Sequence, residues 1–309
     1  MFRILLPISP FFACNPTPSL NLSNFKLVTL TLVAMVLWGL SWTNAKILGN
    51  YGDASLMMFW RFVFATISIA PVVVWNGYPF KLPKTSLRFI IINAIFMTSY
   101  NFFYFKGTQT GLAGTGGILV TTLNPILTAV FATLIFRDIM PKKNIIGLFL
   151  GLCGGGIIMR LWDSNADQLM QSGNLFFLLA SISWVAVTLN TSRIKYRVSF
   201  IPYSFWCFFF ASIFSFPMAM GNSIMAVFTF DWIFWLNMML VSVGAMAYGT
   251  SIYFLASVEL GAQKASAFIF TVPITAMGFA MIFLNEKLTI TTLLGGILTM
   301  TAVYLINKK

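Results

Sequence analysis

Phe59-Trp60-Arg61-Phe62-Val63-Phe64-Ala65-Thr66-Ile67, closed by Pro71, returns 146 residues later as Phe205-Trp206-Cys207-Phe208-Phe209-Phe210-Ala211-Ser212-Ile213, closed by Pro217. Seven of the 13 positions from 59 to 71 are identical at that offset. The same offset carries Trp38 onto Trp184 and Asn44 onto Asn190. At an offset of 148, Pro125 falls on Pro273, Asp138 on Glu286 and Gly147 on Gly295. An ordered series that slips by only two residues across the chain marks an internal duplication.

Composition says what was duplicated. The chain has 309 residues, is 59% hydrophobic and only 8% charged, with a mean hydropathy of +0.87. A soluble domain is about 25% charged, so this surface belongs in lipid. A helix crosses the hydrocarbon in about 20 residues, which leaves room for ten crossings and no soluble catalytic domain. Apolar segments run at 27–48, 54–75, 88–106, 113–136, 144–160, 173–192, 200–220, 232–258, 264–284 and 288–306. They lack the period-two alternation of a membrane barrel. The 232–258 segment is long, and an interfacial turn is expected in it near Trp232 and Trp235. Each half therefore holds five helices, and an odd number turns the second copy upside down. The expectation is an all-α polytopic membrane protein with ten transmembrane helices as two inverted five-helix repeats, 27–161 and 172–306. Residues 1–26, broken by four prolines, are expected as a cytoplasmic N-terminal segment.

The net charge of +12 fits topology rather than nucleic acid. With the N-terminus inside, 14 of the 19 basic residues fall at cytoplasmic ends and loops and four outside, with Arg61 left within a span. That asymmetry places both termini in the cytoplasm.

The inventory excludes more. No histidine is present, so histidine triads and histidine metal sites are out. Cys14, Cys153 and Cys207 are far apart and set no metal-ligand spacing. No P-loop sequence occurs, which disfavours ATP-driven pumping. Gly114, Gly116 and Gly117 open an apolar helix and read as packing. No enzyme activity, cofactor, metal or nucleic-acid partner is expected; the partners are membrane lipids and a small-molecule metabolite. Gly147, Gly151 and Gly155 repeat every fourth residue on one helix, a packing stripe compatible with a monomer or a homodimer. None of the seven acids lies mid-span, so exchange or facilitated diffusion fits better than a carboxylate proton relay.

Polar groups in a membrane face the bundle interior or a cavity. Asn44 and Asn190 occupy equivalent positions late in helices 1 and 6, as opposite walls of one cavity or as interhelical hydrogen-bond donors. Asn93, Met97, Tyr100 and Tyr104 share a face of helix 3, beside Asn101, and Tyr248 and Tyr253 lie on the equivalent helix 8. Trp38 and Trp42, four apart with Ser41 between them, fit a cavity wall. Asn124, with Thr121, Thr122 and Thr128, gives helix 4 unusual polarity. Pro125 and Pro273 are expected to kink paired helices. Arg61 has two readings: a contact for a substrate anion, or an anchor that snorkels outward.

Two further stretches carry a family resemblance. The first half reads Gly111-Leu112-Ala113-Gly114-Thr115-Gly116-Gly117-Ile118-Leu119, then Leu123-Asn124-Pro125-Ile126 and Leu134-Ile135-Phe136-Arg137-Asp138. The second reads Leu260-Gly261-Ala262-Gln263-Lys264-Ala265-Ser266-Ala267, then Val272-Pro273-Ile274 and Phe283-Leu284-Asn285-Glu286-Lys287-Leu288-Thr289. Each resembles the EamA-like members of the drug/metabolite transporter superfamily, over about residues 27–306. Asp138 follows Arg137 where the family's first half generally has Gly-Glu. The resemblance implies ten helices, a bacterial inner-membrane location and movement of small metabolites, often outward. Two similar inverted halves can open one midplane cavity alternately to either side; the alternative is a duplicated, non-transporting membrane scaffold or sensor. An aromatic, amide-rich cavity without fixed negative charge favours a zwitterionic cargo, amino acids or related compounds, with drugs or nucleosides as alternatives.

Overall fold

The computed structural model describes residues 24–80, 84–136, 142–162, 173–192, 199–259, 268–269 and 271–307. Among these residues there are ten helical rods and no strand. The first half contributes α1 (Asn24–Leu48), α2 (Ala54–Trp75), α3 (Lys84–Thr110), α4 (Ala113–Phe136) and α5 (Lys142–Met159). The second contributes α6 (Asn174–Ser192), α7 (Phe200–Ala219), α8, α9 (Thr271–Leu284) and α10 (Ile290–Asn307). Rod α8 has three parts, an α-helix Trp232–Met239, a π-helix Leu240–Thr250 and an α-helix Ser251–Glu259. Six of the rods are long and apolar enough to cross a membrane: α1, α2, α3, α6, α7 and α8. Shorter apolar helices lie within α5, α9 and α10.

Two expectations need correction here. No turn interrupts the segment at Trp232 and Trp235. The chain turns earlier, through the 3₁₀ helix Ile224–Thr229, and Asp231 then caps α8 by accepting from Phe234 N–H at 3.0 Å. That side-chain bond satisfies one of the orphan donors at the helix start. The paired prolines are also not equivalent in structure. Pro125 sits inside α4, whereas Pro273 lies in the first turn of α9, where its missing N–H costs nothing. Residues 1–23, the 137–141 loop with Asp138, and 163–172 lie outside the described residues.

The helix pairings carry the duplication. Helix α1 packs on α9 and α8, and its equivalent α6 packs on α4 and α3. Helices α2 and α7, α4 and α9, and α5 and α10 each face their own equivalents. Exchanging the halves therefore returns the same set of these neighbours, which is the signature of a pseudo-twofold axis through the bundle. Side chains repeat it. Trp60 Nε1 donates to Ile224 O at 2.9 Å, and its equivalent Trp206 donates to Phe80 O at 3.1 Å. Each indole thus ties helix two of one half to the connection after helix two of the other.

Lipid-exposed helices gain little from burying more hydrocarbon, so close packing holds them together. The α5–α10 crossing shows how. A Cβ on Gly154 would sit 2.8 Å from Gly295 O, and one on Gly295 would sit 2.6 Å from Gly154 O. The two backbones touch because neither residue has a side chain. Gly151 faces Ile126 and Ala302, so the glycine stripe of α5 is spent inside one chain. The outer faces are apolar, with Ile145, Ile146, Phe149, Leu293, Leu294 and Ile297 exposed.

Candidate functional site

Where the two halves meet, Trp38 of α1 and Trp184 of α6 touch edge to face, with ring centroids 5.7 Å apart. These residues are equivalent under the repeat, so the pseudo-twofold axis runs close to their contact. Around them opens a cleft lined also by Ser41, Trp42, Arg61, Tyr100, Thr121 and Asn124 of the first half and Met246, Thr250, Ile269 and Val272 of the second. Its free interior is only about 30 Å³. The aromatic walls are therefore drawn together, and a cargo larger than about two waters must part them.

Helix geometry explains who reaches the cleft. Trp38, Ser41 and Trp42 are spaced three and four apart and share a face of α1. Trp38 donates Nε1–H to Ala245 O at 2.8 Å, inside the π-helical stretch of α8. Tyr253 packs on Trp38 with centroids 5.1 Å apart, and Tyr100 packs on Trp184 at 4.8 Å. π-Helical turns are rare and concentrate at functional sites. Here the turn presents the Val241 and Ala245 carbonyls to side chains of α2 and α1.

Arg61 does not snorkel outward. It is 5% exposed and turns inward between α2, α3 and α8. Its Nε donates to Val241 O at 3.3 Å and a terminal nitrogen to Asn101 Oδ1 at 2.9 Å. The guanidinium carbon lies 4.9 Å from the centre of the Tyr104 ring and 5.7 Å from that of Phe105. Among the described residues its partners are a carbonyl, an amide and two aromatic faces, none of them a carboxylate. Polar ligands and cation–π contacts stabilise such a charge but leave it uncompensated. Asn124 is 7% exposed, and its Oδ1 has no hydrogen-bond partner.

The candidates named from sequence thus divide. Trp38, Trp42, Tyr100, Asn124 and Arg61 come together around the cleft. Asn101 and Tyr104 stand behind Arg61, with the Tyr104 hydroxyl bonded to Ser41 O. Tyr253 backs Trp38. Tyr248 points elsewhere, donating to Leu30 O at 3.1 Å. Asn190 lies outside the cleft and bonds α3: Nδ2 reaches Phe89 O at 2.7 Å and Asn93 Oδ1 at 2.9 Å. Asn44 is also outside it, 3% exposed with its Nδ2 unpartnered. Met246, Thr250, Ile269 and Val272 were not among the sequence candidates. Only the packing of α8 and α9 against α1 could have suggested Met246, Thr250 and Val272, and Ile269 precedes α9.

At one end of the bundle, charges clamp the α3–α4 turn. Glu286 accepts from Ala113 N–H at 2.7 Å and Gly114 N–H at 2.9 Å, while Lys46 donates to Gln109 O at 3.2 Å and Gly111 O at 2.8 Å. An acid thus caps a helix start and a base a helix end, as the helix dipoles require. This assigns the acidic position of the second repeat a structural task. Nearby, the Tyr51 hydroxyl donates to Asp231 Oδ1 at 2.7 Å, joining the α1–α2 turn to the start of α8. That bond, with Phe234 N–H, holds the Asp231 carboxyl below its ordinary range, and the same bond raises the Tyr51 hydroxyl.

Known proteins agree with this architecture. The model of the EamA-like transporter family matches residues 25–160 and again 171–308. An uncharacterized transporter of Synechocystis is 25% identical, over 91% of this chain and 89% of its own length. The uncharacterized transporter YvbV of Bacillus subtilis is 24% identical, over 94% of each chain. A WAT1-related chloroplastic protein of Arabidopsis thaliana is 23% identical, over 90% of this chain and 69% of its own. One crystal structure superposes with a TM-score of 0.64 at 15% identity, covering 92% of this chain and 96% of that one, which shows a shared fold.

Proposed function

The chain belongs to the EamA-like transporter family, and on that premise we propose that it is a secondary transporter that moves small organic metabolites by alternating access around the Trp38–Trp184 cleft. The cargo class is amino acids or related zwitterions, moved outward or in exchange. The protein sits in the bacterial inner membrane with both termini cytoplasmic, and one copy, alone or within a homodimer, contains the whole path.

One observation supports this cargo most directly. Arg61, buried at the cleft without a carboxylate partner, offers a site for an anionic group, and the aromatic walls suit an apolar body. The acids with described side-chain environments, Asp53, Asp231, Glu259 and Glu286, do not line the cleft, so among the described residues the charge it offers is the positive one of Arg61.

Counterflow in proteoliposomes tests it. Vesicles preloaded with a neutral amino acid should accumulate the labelled compound faster than empty vesicles do, and saturably. The methyl ester and the decarboxylated amine of the same compound should compete at least about tenfold less well, because a charged hydrogen bond is worth about 1.5–3 kcal/mol. Transport of nucleosides or lipophilic cations with no response to amino acids would replace this cargo class. Flux equal to protein-free vesicles across all three classes would remove the transporter reading.

A further inference from the structure

Asn44 and Asn190 stand at equivalent places in the two halves, yet this structure treats them differently. Asn190, near the end of α6, bonds both Phe89 O and Asn93 Oδ1 of α3. Asn93 in turn donates to Thr191 Oγ1 at 3.0 Å and Tyr203 OH at 2.6 Å, so the α6–α3 contact closes as a satisfied polar network. Asn44, near the end of α1, has its Nδ2 buried and unpartnered, although α1 packs on α8, the equivalent of α3. A buried amide donor without a partner is rare and carries the full cost of lost hydration.

The repeat names the missing partner. Between the offsets of 146 and 148, Phe89 corresponds to a position within Trp235–Asn237 and Asn93 to one within Met239–Val241, in the part of α8 that packs on α1.

We propose that Asn44 and Asn190 are alternating latches: Asn190 holds α6 to α3 in the state seen here, and Asn44 holds α1 to the Trp235 region of α8 in the opposite state. This rests on the alternating-access reading above. When inverted repeats exchange conformations, each half takes up the other's arrangement. Asn190 then releases Phe89 and Asn93 as Asn44 gains its acceptor. One unpartnered amide is carried in either state, so part of its cost offsets between them; the positions equivalent to Asn93 carry no side-chain amide, which leaves the Asn190 latch the stronger of the two.

Hydrogen–deuterium exchange on the full chain in nanodiscs tests this without any cargo, so it stands apart from the counterflow assay. Asn190→Leu should raise exchange in peptides from 84–95 and 185–192 and lower it in those from 40–50 and 232–239. The shift in population is about eightfold, for two interhelical bonds at their usual strength. Asn44→Leu should do the reverse, and the double variant should return towards wild type. Asn93→Ala, which cuts the same latch from α3, repeats the Asn190→Leu pattern if that protein folds poorly. Loosening confined to the mutated contact, with no opposite change across the bundle, would overturn the proposal and leave both residues as ordinary packing. Reciprocal exchange in a protein that gives no counterflow would keep the latches and discard the cargo.

Discussion

Replacing glycine by alanine at four positions separates close packing from helix propensity, because the same methyl group meets four different surroundings. At Gly154 the added Cβ would lie 2.6 Å from Thr299 Cγ2, 2.8 Å from Gly295 O and 2.9 Å from Thr299 N. At Gly295 it would meet Gly154 O at 2.6 Å and Ile158 N at 3.0 Å. Most of these neighbours are backbone of the facing helix, so only parting α5 from α10 relieves them. Overpacking costs about 1–3 kcal/mol, and the gain of about 1 kcal/mol for alanine over glycine in a helix offsets part of it. The net is a loss of about 0–2 kcal/mol for Gly154→Ala or Gly295→Ala. By contrast, Gly296→Ala places its Cβ at an ordinary 3.5 Å from Ile118 Cγ2, and Gly278→Ala meets nothing within 4 Å. Those two should keep the propensity gain, up to about 1 kcal/mol. At about 2–4 °C per kcal/mol, thermal unfolding in detergent should separate the two pairs by about 2–12 °C. Neither α5 nor α10 lines the cleft, and on α9 it is Val272 rather than Gly278 that does, so flux per folded molecule should survive in all four. Equal melting temperatures for Gly154→Ala and Gly278→Ala would refute the assignment of the α5–α10 crossing as backbone contact.

Three other expectations follow from single contacts. Arg61→Met should raise the KM for a carboxylate-bearing cargo at least about tenfold, with Arg61→Lys intermediate and a neutral analogue unaffected, read by counterflow. Glu286→Gln halves the acceptor capacity at the start of α4 and removes the charge facing its dipole, so it should cost about 1 kcal/mol by thermal unfolding, with flux per molecule retained. The Tyr51–Asp231 clasp gives an acid-side dependence. Because folding lowers the Asp231 pKa, its contribution is present above the unfolded value and lost as pH falls through the folded one. Tyr51→Phe should therefore lower the melting temperature near neutrality and flatten its acid-side fall, with the difference from wild type vanishing once pH lies below the folded Asp231 pKa, measured by melting temperature against pH.

The sequence alone determined what depends on covalent order and solvent. Ten apolar segments, their rough limits and their pairing into two inverted halves follow from hydropathy and from matches such as Trp60 with Trp206. A backbone in lipid must bond within its own helix, which makes long apolar runs helical whatever their neighbours. Trp38, Trp42 and Tyr100 were legible as cleft candidates because helical spacing gathers them on one face. What a helix turns towards was not legible. Arg61 reads equally as anchor or ligand until the bundle buries it against Asn101 and Val241. Asn44 and Asn190 look identical in the repeat, and only packing bonds one and strands the other. The task of Glu286 depends on Ala113 and Gly114, 173 and 172 residues away. The π-helical stretch of α8, which offers its carbonyls to Trp38 and Arg61, leaves no mark in hydropathy. Contacts of that kind are fixed by distances between helices, and tertiary structure alone decides them.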